Sequence, residues 1–306
     1  MCSHNIVLCA FTTPHWHDVV VWLVFFGVLF FFLLFLSVCF FFFLRVSERV
    51  VMTSEESSAK AAEAATAAAE AIAADAADER GYVARWVGLE SNPEVLSEFA
   101  HRAGLPREWA FADCYGLDDE LLAFVPQPCL AVILIFPWDA ATVAARDRAM
   151  AARSCAPPPG LYYMEQRVGE ACGTIAVIHA VLNNAERVGL AHGPLYDFWQ
   201  QTRGLDKAAR GLALARCTAI EELHAHQAQA GQSAPQERTE YHFICFVCHD
   251  GRLYELDGSR PTKLPICHGP SAPDTFLHDA AKVIKDTFIA TSNTIAFGVT
   301  TLGPAQ

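Results

Sequence analysis

Hydrophobic and polar positions divide the chain into three stretches of different character. Residues 19–44 are apolar almost without interruption, with ten Phe and no charge. Residues 52–80 are nearly all Ala, Glu, Asp and Ser. From Gly81 onward, short apolar runs and helical periodicities alternate in a mixed α and β pattern of about one domain's length. The first stretch is long enough to cross a hydrocarbon core of about 30 Å at ~1.5 Å per residue. As a transmembrane helix it would leave Arg45 and Arg49 on the side of the C-terminal domain, which places that domain in the cytosol. A second expectation stands beside it. Met52 opens Met-Thr-Ser-Glu-Glu, an ordinary start for a soluble protein, which would make residues 1–51 an upstream translation artefact. A cleaved signal peptide fits less well, because the charged n-region is missing and the apolar stretch is too long. Residues 52–80 favour a helix through their alanines, but Ile72 is the one large apolar residue of the Ala-rich part. With no stripe to dock, the segment reads as a solvated helix or a linker.

The domain from residue 81 to 306 shows clearer signals. Asn92, Pro93 and Glu94 begin a helix, with Val95, Leu96 and Phe99 on one side. Residues 130–136 (LAVILIF) form a continuous apolar run closed by Pro137, as for a central strand buried on both faces. Residues 171–184 read as a helix. Residues 241–249 and 252–257 read as strands around an Asp250-Gly251 turn, and residues 294–299 as a last strand. Residues 223–239 are polar and aperiodic and are expected to be an exposed loop.

A net charge of −12 argues against a nucleic-acid partner and fits a cationic protein or peptide better. Eleven cysteines without regular spacing do not form a disulfide framework, so free thiols in a reducing compartment are expected. Cys245-x-x-Cys248 lies in an alternating strand that points the two thiols to opposite faces, and no second pair has metal-ligand spacing, so no metal or other cofactor is expected.

One thiol stands in a different setting. Gly169 breaks the segment before it, and Ile175, Ile178 and Leu182 begin their periodicity just after it, so Cys172 sits in the first turn of a helix. Unpaired N–H groups and the positive dipole end favour a thiolate there. His179 lies seven residues along the same helix, about 10 Å of rise away, too far to serve as its base. His242 starts the strand that runs into the hairpin. With a two-residue turn, Ile244 faces Asp257, so His242 and Asp257 are diagonal neighbours with Cα atoms about 7–8 Å apart. That is the geometry of a base and its orienting acid, although an exposed pair on a sheet face has the same register. Gln166, six residues before the thiol, is either a surface amide or a second donor, beside the Cys172 N–H, for an oxyanion hole.

The stretches WVGLESNPEV (86–95), DCYGLDDELLAFVPQPCLAVILIF (113–136), YMEQRVGEACGTIAVIHAVLNN (163–184) and HFICFVCHDGRLYELDG (242–258) resemble the ubiquitin C-terminal hydrolases, papain-like thiol proteases. The likeness covers roughly residues 81–302 and preserves the order Gln, Cys, His, Asp. It implies an α+β papain-like fold, with a mainly antiparallel sheet flanked by helices and a knotted backbone. It also implies that Cys172 is the nucleophile, His242 the proton acceptor, Asp257 its orienter and Gln166 the oxyanion donor. Leu89 and Glu90 match a segment that contacts ubiquitin, although relatives carry Pro where this chain has Gly88. Residues 223–239 match a crossover loop under which the ubiquitin tail threads, which implies small adducts and unfolded extensions as leaving groups. The implied partner is ubiquitin, with Nedd8 or another ubiquitin-like modifier as a further candidate, and a monomer is expected. The chain's end near its last strand resembles the short members without a C-terminal extension. A different Cys-His-Asp acyl-transfer enzyme, or a ubiquitin-binding module, is the competing reading.

Overall fold

The computed structural model describes Asp78 and residues 81–232, 240–292 and 294–306. The expectations for residues 1–51 and for nearly all of 52–80 fall outside them. Among the described residues no helix is long and apolar enough to cross a membrane.

Six strands form one wholly antiparallel sheet, and two more form a small parallel ladder. In chain order the strands are β1 (Ala84–Arg85), β2 (Trp109–Asp113), β3 (Ala131–Pro137), β4 (Val168–Gly169), β5 (Tyr241–His249), β6 (Arg252–Leu256), β7 (Ile266–Pro270) and β8 (Gly298–Pro304). The large sheet runs β2-β8-β3-β5-β6-β7, and β1 pairs with β4. The helices are α1 (Pro93–Ala103), α2 (Asp119–Leu122), α3 (Ala140–Met150), α4 (Cys172–Leu182), α5 (Ala185–Val188), α6 (Pro194–Thr202), α7 (Lys207–Leu214), α8 (Thr218–Gln229) and α9 (Phe276–Val283), and α9 continues into a π-helical turn, Ile284–Ile289.

Strand parity explains the two cores. On β3 and β5, Ile133, Phe243, Cys245 and Val247 face a core built with α4 and α1. Val132, Leu134, Phe136, Ile244 and Phe246 face the opposite core, built with α9 and the π turn. The apolar run in residues 130–136 is therefore buried on both faces, with helices on each side of the sheet, as its lack of alternation predicts. Local rules also hold at α1, where the Asn92 side chain accepts from Glu94 N–H at 2.8 Å and Pro93 fills the first turn. At the hairpin, Asp250 and Gly251 both take positive φ, 45° and 71°, as a type I′ turn requires. Its ladder pairs Cys245 with Leu256, so the predicted register is correct, but β6 ends one residue before Asp257.

Two expectations are corrected. The last strand is Gly298–Pro304, not 294–299. Ile295, which suggested the earlier start, is 96% exposed, whereas Leu302 is fully buried between Ala131 and Phe111. The stretch 223–239 is not a loop throughout, because α8 runs to Gln229. Its inward face carries His224 and Gln227, both buried, and His224 bonds Thr174 Oγ1 at 2.7 Å and the Val87 carbonyl at 2.5 Å. Ile220, Leu223 and Ala228 share that face, but within 223–239 the polar His224 and Gln227 interrupt the apolar period that would have revealed the helix. Residues 233–239 of this stretch lie outside the described ones.

Candidate active site

Cys172 opens α4, and Ala171 at its N-cap offers no side-chain acceptor, so the positive helix end is directed at the thiol. The chain reaches this point through β4 and a kink at Glu170, whose φ is 59° and whose carboxylate is held by Arg85 Nη1 at 3.1 Å. The whole of α4 is buried, and it packs on β5. That contact brings the thiol, itself only 7% exposed, to the beginning of β5, where His242 stands.

His242 lines the same cavity as Cys172, and its charged form is favoured by the nearby sulfur. Its Nε2 lies 2.9 Å from Asp257 Oδ1 and 3.1 Å from Ser259 Oγ, which leaves Nδ1 as the nitrogen for the sulfur. Ser259 Oγ also donates to Asp257 Oδ1 at 2.7 Å. Edge contacts from Phe136 and Trp138, with ring centroids at 5.7 and 4.8 Å, confine the imidazole. Both His242 and Asp257 are buried, so the exposed-pair reading fails.

Burial alone would push the imidazole toward neutrality. The Asp257 charge and hydrogen bond, together with Cys172, outweigh it and raise the His242 pKa to about 10. Burial likewise opposes ionisation of Asp257, but His242, then Arg146 and Ser259, hold its carboxyl well below the usual carboxylate range. His179 behaves differently. Burial lowers its pKa to about 3, its Nε2 accepts from Met164 N–H at 3.1 Å and its ring stacks on Tyr163. It is a neutral structural histidine, as helix arithmetic predicts.

Gln166 comes to the site by another route. Its backbone N–H donates to the Gly258 carbonyl at 2.9 Å, which joins the segment before Cys172 to the residue after Asp257. A Cβ on Gly258 would lie 2.6 Å from the Met164 carbonyl oxygen, so only glycine allows this approach. The Gln166 side chain is buried, and its Nε2 donates one hydrogen to the Val168 carbonyl at 3.0 Å. A cavity of about 450 Å³ is lined by Gln166, Cys172 and His242 together with Trp138, Tyr241 and Ser259. Cys172, His242, Asp257 and Gln166 thus converge. Leu89 is buried in the α4 core and Glu90 is half-buried, and neither lines this cavity. Cys245 and Cys248 face opposite cores, as strand parity predicts, and the eight cysteines among the described residues are free thiols.

Sequence reasoning missed Ser259, Arg146 and Trp138. The Ser259 N–H closes on Asp257 Oδ1 at 3.0 Å, an Asx turn whose Asp-Gly-Ser signature is present in the chain. Arg146 Nη2 lies 3.6 Å from Asp257 Oδ2, and no local signal marks it.

The protein-family model described as "Ubiquitin carboxyl-terminal hydrolase, family 1" matches residues 86–289. A ubiquitin carboxyl-terminal hydrolase of Drosophila melanogaster is 40% identical over 227 residues, covering 72% of this chain and 98% of that protein. Human ubiquitin carboxyl-terminal hydrolase isozyme L1 is 38% identical over 200 residues, covering 65% and 89%. Among solved structures, the catalytic domain of Trichinella spiralis UCH37 bound to ubiquitin vinyl methyl ester superimposes with a TM-score of 0.59 at 26% identity, covering 72% of this chain and 96% of that one.

Proposed function

This chain belongs to the ubiquitin carboxyl-terminal hydrolase family, and from that premise we propose that Cys172, His242, Asp257 and Gln166 carry out its reaction. The chain is a cysteine-type ubiquitinyl hydrolase acting at the C-terminus of ubiquitin. One observation carries the assignment of residues. A single imidazole bonds a buried carboxylate at 2.9 Å and lines one cavity with the thiol at the helix start and a buried amide.

In the proposed sequence the Cys172 sulfur attacks the carbonyl carbon of the terminal glycine while its proton resides on His242. The developing oxyanion takes hydrogen bonds from the Cys172 backbone N–H and the Gln166 amide, a donor type whose loss costs about 2.7–4 kcal/mol of barrier. His242 gives its proton to the leaving amine, alkoxide or thiolate, and a thioester remains. His242 then removes a proton from water, hydroxide adds to the thioester, and ubiquitin leaves with a free carboxylate as the thiol is restored. Asp257 keeps the ring oriented throughout and stabilises the imidazolium whenever it forms.

The segment Leu89-Glu90 is assigned to ubiquitin contact outside the cavity, with the half-buried Glu90 facing the partner and the buried Leu89 seating the segment on α4. The span between α8 and β5 is assigned as the gate over the tail, which favours small adducts and unfolded extensions over folded chains. A monomeric, cytosolic enzyme fits this role. The test is turnover of ubiquitin carrying a C-terminal fluorogenic amide. The full chain should hydrolyse it, and Cys172→Ala should abolish turnover while ubiquitin affinity, read by calorimetry, stays within a few-fold. Retained turnover would overturn the assignment, and the same assay with a Nedd8 amide measures selectivity.

A further inference from the structure

We propose that Arg146 is a positioning residue for the reaction, its guanidinium holding the second oxygen of Asp257 and, through that carboxylate, the imidazole of His242. The proposal rests on the assignment of Asp257 and His242 made above.

The two oxygens of Asp257 have different duties. Oδ1 takes both His242 Nε2 and Ser259 Oγ, whereas Oδ2 faces Arg146 Nη2 at 3.6 Å. Both side chains are buried, at 7% and 1% exposure, so solvent does not screen the pair. The guanidinium packs over a pair of touching rings, 4.9 Å from the centroid of Phe136 and 4.5 Å from that of Phe288. Phe136 is also the cross-strand partner of His242 and touches its ring, while Phe288 comes from the π-helical turn. Arg146 is thus fixed by the sheet, the π turn and its own helix, and the carboxylate is fixed against it.

The next residue strengthens the attachment. Asp147 pairs with Arg260 at 3.2 Å, and the fully buried Arg260 also faces Glu255 at 3.6 Å. Glu255 in turn holds His268 at 2.8 Å. α3 is thus also anchored by Asp147 and by the buried Val143, and Arg146 adds a second buried charge that is aimed at Asp257. Burying an arginine is costly unless it is paired, and the partner it meets here is the triad carboxylate. The titratable and charged groups around Asp257 are His242 from β5, Arg146 and Asp147 from α3, the neutral His179 from α4, Tyr163, and Lys263 from the turn beyond it. Those around Arg146 are Asp257, Asp147 and Glu255.

Removing one buried positive charge raises the pKa of every group that faces it. The experiment compares wild type, Arg146→Lys and Arg146→Met in two profiles against pH: hydrolysis of the ubiquitin fluorogenic amide, and alkylation of the thiol by iodoacetamide without ubiquitin. In Arg146→Met the acid limb of both should move up by about one pH unit, near the lower end of what an adjacent arginine does to a carboxylate. Its kcat should fall about tenfold or more with KM little changed. Arg146→Lys keeps the charge, so its limbs should stay in place while kcat falls several-fold from the looser fit. Unshifted limbs in Arg146→Met, or equal and pH-independent losses in both variants, would reduce Arg146 to an anchor for α3 and overturn the proposal. Should Arg146→Met fail to fold by circular dichroism, wild-type kcat in Arg146→Lys would overturn it instead. Cys172→Ala, run alongside, must lose turnover and the reactive alkylation. If it keeps them, the assignment of the site falls, a failure distinct from unshifted limbs.

Discussion

Asp257 sets the charge state of His242, the residue proposed to move the proton. It lies one residue beyond β6, anchored by the Asx turn to Ser259 and by Tyr163, whose hydroxyl donates to the Asp257 carbonyl at 2.9 Å. Its charge outweighs the burial of His242, so the imidazole is protonated up to about pH 10, and activity that needs the imidazolium is lost as pH rises through that value. In Asp257→Asn the opposing burial dominates, and the imidazole loses its proton at a lower pH than in wild type. The expected outcome is a drop in kcat/KM of about 10²- to 10⁴-fold near neutrality. The alkaline limb should also move downward. A pH series of kcat/KM checks both, and an alkaline limb that stays in place would show that Asp257 does not hold the charge on His242. The residue types, their order and the diagonal relation of His242 to Asp257 were legible along the chain. The Ser259 bridge was legible only in retrospect.

Two loop segments, rather than any single strand, join the halves of the site. The backbone of Gln166 bonds the Gly258 carbonyl, and a Cβ at Gly258 would come within 2.7 Å of the Gln166 nitrogen and 2.6 Å of the Met164 carbonyl oxygen. Gly258→Ala must therefore separate the segment bearing Gln166 from the one bearing Asp257. It should cost about 1–3 kcal/mol of stability, as overpacking does, and should lower kcat more than it raises KM. Urea denaturation and steady-state kinetics read the two effects, and an unchanged unfolding midpoint would contradict the close approach. Elements also show where patterning works. β3 and the hairpin announce themselves through runs and turn residues, because parity and turn type are set within a few positions. Helix α8 does not, since the polar His224 and Gln227 face inward, His224 being satisfied by Thr174 and Val87.

At the scale of the molecule, the proposed gate over the ubiquitin tail is the connection between α8 and β5, residues 230–240, of which 233–239 lie outside the described residues. Lengthening it with Gly and Ser costs little, roughly 0.6 kcal/mol for each doubling, so the fold should survive. The lengthened enzyme is expected to cleave linked ubiquitin chains that the parent cleaves slowly, as read by gel assays of di-ubiquitin. No gain in chain cleavage would count against the gate. The separate parts of this architecture were open to sequence reasoning to different degrees. The sequence by itself determined the helix that begins at Cys172, the exclusion of His179, the strand buried on both faces and the register that pairs His242 with Asp257. All of these follow from spacings within about one element, where helical rise and strand parity leave few alternatives. Only the tertiary structure decided that α4 lies on β5 so that thiol meets imidazole, that Gln166 reaches the site through Gly258, that β8 pairs through Leu302 and that Arg146 faces Asp257. These contacts join residues that are far apart in the chain, and their choice is made by packing two cores on one sheet, which no local period records.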